Sequence, residues 1–134
     1  MKTSRSGPGM WRFVALLPLC AVVAFTVGLS LAQLFTWTLG EGGSLVHLAR
    51  RFTIPACATL AAVLTGACVA PHRHLASAVV VWCLICTLTL MLNVGRLMDG
   101  QIPTVFNVTL AGCLLGGALG CLIVWATWTG NRAA

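Results

Sequence analysis

The sequence predicts an all-α integral membrane protein, a four-transmembrane-helix antiparallel bundle with short loops. Three observations lead there. Four long uncharged runs, at about 13–39, 52–70, 75–95 and 102–129, fill most of the 134 residues. The eight Lys and Arg and the two Asp and Glu all lie outside those runs. Hydrophobic residues make up 59% of the chain against 7% charged, and the mean hydropathy is +0.98. An apolar helix of about 18 or more residues crosses a hydrocarbon core of roughly 30 Å at about 1.5 Å per residue. A soluble domain of this size has no room to bury four such helices. Residues 1–134 therefore read as one transmembrane domain in contact with lipid, with no second, soluble domain.

The first run follows Lys2, Arg5 and Arg12 and contains Ser30-Leu31-Ala32, features shared with a secretory signal peptide. It extends on through Leu34, Phe35, Trp37 and Leu39, well past the roughly 7–15 apolar residues of a signal core, so it is expected to be retained as a helix. Pro18 falls in its first turn or, if the helix starts as early as Phe13, kinks it. The second run is expected to begin near Phe52, which puts Pro55 in a first turn, where its missing N–H breaks no intrahelical bond. Pro71 ends that run, and Pro71-His72-Arg73-His74 is short enough to force a tight hairpin into the third. Pro103 opens the fourth run. Trp11, Trp37, Trp125 and Trp128 lie near the ends of runs one and four, where an amphipathic ring suits the headgroup layer; Trp82 lies inside run three.

The net charge of +6 is spread over short tails and loops, which reads as a topology signal and excludes a nucleic-acid surface. Lys2, Arg5, Arg12, Arg73 and Arg132 share one side of the membrane, and Arg50, Arg51 and Arg96 share the other. The imbalance places both termini in the cytoplasm of a multi-pass cell-membrane protein.

Small residues form the clearest pattern after hydrophobicity. Gly112, Gly116 and Gly120 recur every four residues on the fourth helix, and Ala58, Ala62 and Gly66 form a second stripe on the second helix. Such faces let helix backbones approach closely and associate by van der Waals contact. Two uses stay open: internal packing of helix four on helix two, or a seam to a second copy or a partner membrane subunit.

Polar groups inside the runs are few. Seven cysteines include Cys83-Leu84-Ile85-Cys86, but this CxxC lies near the middle of helix three with no nearby His or acid in sequence, so no metal site is assigned. His72 and His74 read as solvated loop residues. A loop at residues 40–51 carries Glu41, Gly42, Gly43, His47, Arg50 and Arg51, which reads either as a flexible turn capped by basic residues or as a receiver for an anionic or polar head at the membrane surface. Gln33, Asn93 and Asn107 all fall in the outer half of the membrane, where amides are expected to face the bundle interior. Arg96 lies one turn beyond Asn93 on nearly the same face. Gln33, His47, Asn93, Arg96 and Asn107 are the candidate ligand-binding residues, with interhelical hydrogen bonding and no ligand the alternative use of the amides.

The third helix ends Leu88-Thr89-Leu90-Met91-Leu92-Asn93-Val94. With four short-looped helices, this resembles the anthrone oxygenase-like group of small membrane proteins, whose third helix ends in a Thr-rich stretch and an Asn-x-Pro-x-Asn motif. Asn93 matches the first Asn; Gly95 and Leu97 stand where the family has Pro and the second Asn. The resemblance implies a lipophilic aromatic substrate oxidised between the helices. No cofactor is indicated. Two functions follow from the residues: a lipophilic small-molecule site in the outer half of the bundle, or a non-catalytic membrane subunit or homo-oligomer that packs through the glycine face.

Overall fold

A computed structural model describes residues 9–40, 43–70, 74–98 and 103–130. Four helices are present: α1 (Gly9–Leu39), α2 (Ser44–Val69), α3 (His74–Met98) and α4 (Pro103–Gly130). Each is long and apolar enough to cross a membrane. The architecture is an all-α bundle of four membrane-spanning helices, and contact with the bilayer follows from it. One end of the bundle holds the first residues of α1 and the last of α4; the other, called distal here, holds the α1–α2 and α3–α4 connections.

Helix ends follow local chemistry. α1 stops at Gly40, whose φ of 60° is the left-handed cap glycine adopts freely, and whose N–H donates to the Thr36 carbonyl at 3.2 Å. Ala70 is extended at φ −79° and ψ 119° because it precedes Pro71, which disfavours helical geometry in the residue before it. Between these points α2 differs from expectation at its start. It begins at Ser44, eight residues before the apolar run. Leu45, Leu48, Ala49, Arg50 and Arg51 are all strong helix formers, so the helix continues beyond the point where charge interrupts the apolar pattern. Pro55 consequently lies inside α2, as Pro18 does inside α1, and neither sits in a first turn. Pro55 leaves the Arg51 carbonyl without its usual helical donor.

The packing is not a symmetric ring. α2 is the hub, lying against α1, α3 and α4, while α3 and α4 also pack on each other; α1 packs principally on α2. The core is made by Leu16 and Cys20 of α1, Ala62, Val63 and Ala67 of α2, Ala78 and Val81 of α3, and Val124 of α4. Most of α1 therefore faces outward, including Leu17, Val22, Phe25, Leu29, Leu34 and Trp37.

The glycines explain the close approach of α4 to α2. A β-carbon on Gly112 would lie 2.5 Å from the Phe52 carbonyl oxygen, and one on Gly116 would collide with the Ala56 carbonyl. On Gly120 it would meet Val63 Cγ1 at 2.8 Å. The small stripe of α2 is used elsewhere at Gly66, which faces Val81 of α3 and Cys20 of α1. Ala62 is fully buried and Ala58 half-buried. The two small faces thus do not oppose each other; Gly112 and Gly116 meet the α2 backbone at Phe52 and Ala56, and Gly120 meets the side chains of Leu60 and Val63.

Two polar contacts tie α2 to α3 near their hairpin. Buried Ser77 donates its hydroxyl to the Gly66 carbonyl at 2.9 Å. His74, which opens α3, donates Nδ1–H to the Ala67 carbonyl at 2.6 Å. Its ring also lies 4.3 Å from that of Trp128, with the planes tilted by 31°. His74 is thus a structural staple joining α2, α3 and α4, not a solvated loop residue. His72 lies outside the described residues.

Candidate functional site

The early start of α2 builds a feature at the distal end. His47, Arg50, Arg51, Ile54 and Pro55 occupy positions i, i+3, i+4, i+7 and i+8, one stripe of a helix with about 3.6 residues per turn. With Thr109 of α4 they line an open cleft of about 390 Å³. Its rim is cationic and its floor apolar. Arg50 is half-buried, and Arg51 and His47 are exposed.

Depth follows from helix geometry. Arg50 lies 19 residues before Val69, about 28 Å along the helix, close to the roughly 30 Å thickness of a hydrocarbon core. A span whose boundary falls at Val69 would bring Arg50 and Arg51 to the opposite headgroup layer and leave Ile54 and Pro55 in the acyl layer. The chain's two acids, Glu41 and Asp99, lie outside the described residues. The first turn of α2 also carries no acid, and its cap, Gly43, supplies no side-chain hydrogen bond. Guanidinium forks and an imidazole over an apolar floor suit a ligand with an anionic head and a lipophilic body.

The remaining candidates lie apart from this cleft. Gln33 is exposed on α1 and lines a separate open groove of about 400 Å³ with Ser30, Leu34 and Trp37. Asn107 is exposed five residues into α4. Asn93 is half-buried, and its amide N–H donates to the Thr89 carbonyl of its own helix at 2.7 Å. The Arg96 side chain lies outside the described residues. The expectation that all three amides face the interior is thus corrected for Gln33 and Asn107. α1 has a partner on one side only, so most of its circumference faces lipid. Asn107 is close enough to its helix end to reach the headgroup layer.

A second polar seam, unforeseen from the sequence, runs along α3. Trp82, Thr89 and Asn93 recur at helical spacing, and the Trp82 indole lies against Gly117 of α4. The Thr89 hydroxyl and the Cys113 sulfur are 3.7 Å apart. Trp82 Nε1 is buried without a hydrogen-bond partner among the described residues. The indication was present in sequence: a large aromatic in mid-helix, Trp82, and a glycine, Gly117, on the next helix that leaves room for it. All seven cysteines are free thiols, and among the described residues no group of three or more His, Cys, Asp or Glu is placed to hold a metal ion.

No protein-family model, no curated protein and no solved structure matches this chain.

Proposed function

We propose that this small membrane protein binds a lipophilic small molecule with an anionic head in the distal cleft between α2 and α4. The observation that carries the reading is the stripe of His47, Arg50 and Arg51 beside Ile54 and Pro55 along one open cleft. The arginines and His47 hold the head, and the apolar body lies along Ile54 and Pro55 toward the acyl layer. With both termini cytoplasmic, as the distribution of Lys and Arg favours, the cleft opens on the outer face.

Oxidation of an aromatic ligand, the chemistry implied by the resemblance around Asn93, would need a polar group that reaches the ligand. Asn93 is not among the residues lining the cleft. Binding rather than turnover is therefore proposed. The alternative of a partner docking through the glycine face of α4 is disfavoured, because Gly112, Gly116 and Gly120 are already in contact with α2.

Native mass spectrometry after mild detergent extraction tests the reading. The expected spectrum shows an anionic amphiphile retained by the protein, lost in the Arg50→Gln/Arg51→Gln double variant and kept in Gln33→Ala. A bare protein, or adducts unaffected by the double variant, would overturn it.

A further inference from the structure

We infer that this chain pairs with a second copy of itself through the outward face of α1. That helix packs principally on α2, and its core residues Leu16 and Cys20 mark the side turned to the bundle. Successive helix positions turn by about 100°, so Val22, Thr26, Leu29, Ser30, Gln33 and Trp37 fall on one stripe that points away from that side. All six are exposed, Trp37 at 89%. The glycine face of α4 is already occupied by α2, which leaves α1 as the helix free to meet another.

The polar groups of the stripe show what it lacks. The hydroxyls of Thr26, Thr36 and Thr38 donate to carbonyls of their own helix at 2.7–2.8 Å. Ser30 and Gln33, one turn apart, make no side-chain hydrogen bond among the described residues. Both lie within the apolar span Ala15–Leu39, Gln33 about 9 Å and Ser30 about 14 Å along the helix from its end. Unpaired polar side chains facing hydrocarbon are costly, and a helix that hydrogen-bonds them removes that cost.

Symmetry selects a second copy as that helix. Two copies obey the same charge rule and insert in one orientation, so a two-fold axis along the membrane normal brings identical residues together at identical depth. Gln33 then faces Gln33 of the partner subunit. An amide carries both donor N–H groups and an acceptor oxygen, so two amides satisfy each other reciprocally, and the Ser30 hydroxyl has the same dual capacity. A different membrane protein would have to supply a matching group at that depth. The groove of about 400 Å³ lined by Ser30, Gln33, Leu34 and Trp37 leaves room for the facing side chains.

The full chain, labelled at its N-terminus with a donor or an acceptor fluorophore, is reconstituted in phosphatidylcholine vesicles, and energy transfer is followed as the protein-to-lipid ratio rises. Saturating transfer, linear in acceptor fraction, is the expected sign of a dimer. Gln33→Leu removes two reciprocal hydrogen bonds and should raise the half-saturation ratio about tenfold, with helix content unchanged because the residue faces lipid. Gln33→Asn keeps the amide and should shift it less. Transfer no greater than random proximity at every ratio would overturn the pairing. Transfer unaffected by Gln33→Leu and by Ser30→Leu would overturn its assignment to α1. Native mass spectrometry of the detergent-extracted protein should show twice the chain mass; a one-to-one complex with a different protein would overturn the second copy.

Discussion

Gly116→Ala is the sharpest test of how α4 sits on α2. The added β-carbon would overlap the Ala56 carbonyl oxygen and lie 2.8 Å from its carbon and 2.9 Å from Ala56 Cα. Carbon contacts are optimal at about 3.5–4.0 Å, so the helices must part by roughly 1 Å. Those neighbours are backbone atoms and have no rotamer to change. A gap of about 0.5–1 Å already forfeits a quarter to a half of each dispersion contact, and overpacking of this kind costs about 1–3 kcal/mol. The upper end applies here, offset by up to about 1 kcal/mol for replacing a mid-helix glycine with alanine. The net expectation is destabilisation by about 2 kcal/mol, and Gly116→Ile should abolish the fold. Gly28→Ala is the control: its β-carbon would meet Ile54 Cγ2 at 3.8 Å, an ordinary contact, and the change should be neutral or slightly stabilising. Unfolding in mixed micelles of rising dodecyl sulfate fraction, followed by tryptophan fluorescence and circular dichroism, reads both variants. The reasoning fails if Gly116→Ala unfolds with wild type, or if Gly28→Ala is the more damaging change.

Further outcomes are expected in the same assay. Ser77→Ala removes a buried hydroxyl that donates to Gly66 and should cost about 0.6–1.5 kcal/mol, with no change in helix content. Trp82→Ala should cost about 3–5 kcal/mol through the cavity left behind, because the indole fills the space beside Gly117. His74→Leu loses the hydrogen bond to Ala67 and the ring contact with Trp128; it should lower stability by about 1–2 kcal/mol and alter Trp128 emission.

The four spans were legible because uninterrupted apolar length is sufficient to define them. The start of α2 was not, since a boundary drawn at Arg50 and Arg51 follows hydropathy, whereas the helix follows backbone propensity back to Ser44. That shift turned an expected loop of donors into one ordered stripe, and it moved Pro55 from a first turn to a helix interior. The glycine spacing on α4 was legible as a sign of close approach. Its counterpart was not, because small residues indicate proximity without fixing which direction a helix faces; Gly116 meets Ala56, and Gly66 serves α1 and α3. The hub role of α2 had a sequence correlate in its density of Ala, Gly, Thr and Cys between Pro55 and Cys68, which leaves little side chain on any face. Gln33 was misplaced because the inward rule for amides assumes neighbours all round, and α1 has them on one side.

The most direct measurement of where a ligand sits is photocrosslinking with an anionic lipid carrying a diazirine high on one acyl chain, incorporated in vesicles with the protein and mapped by peptide mass spectrometry. Crosslinks concentrated at Ile54, Pro55 and Thr109, and depleted in Arg50→Gln/Arg51→Gln, are the expected result. Crosslinks concentrated at the α1 groove of Ser30, Gln33, Leu34 and Trp37, or spread evenly over all four helices, would contradict a binding cleft between α2 and α4.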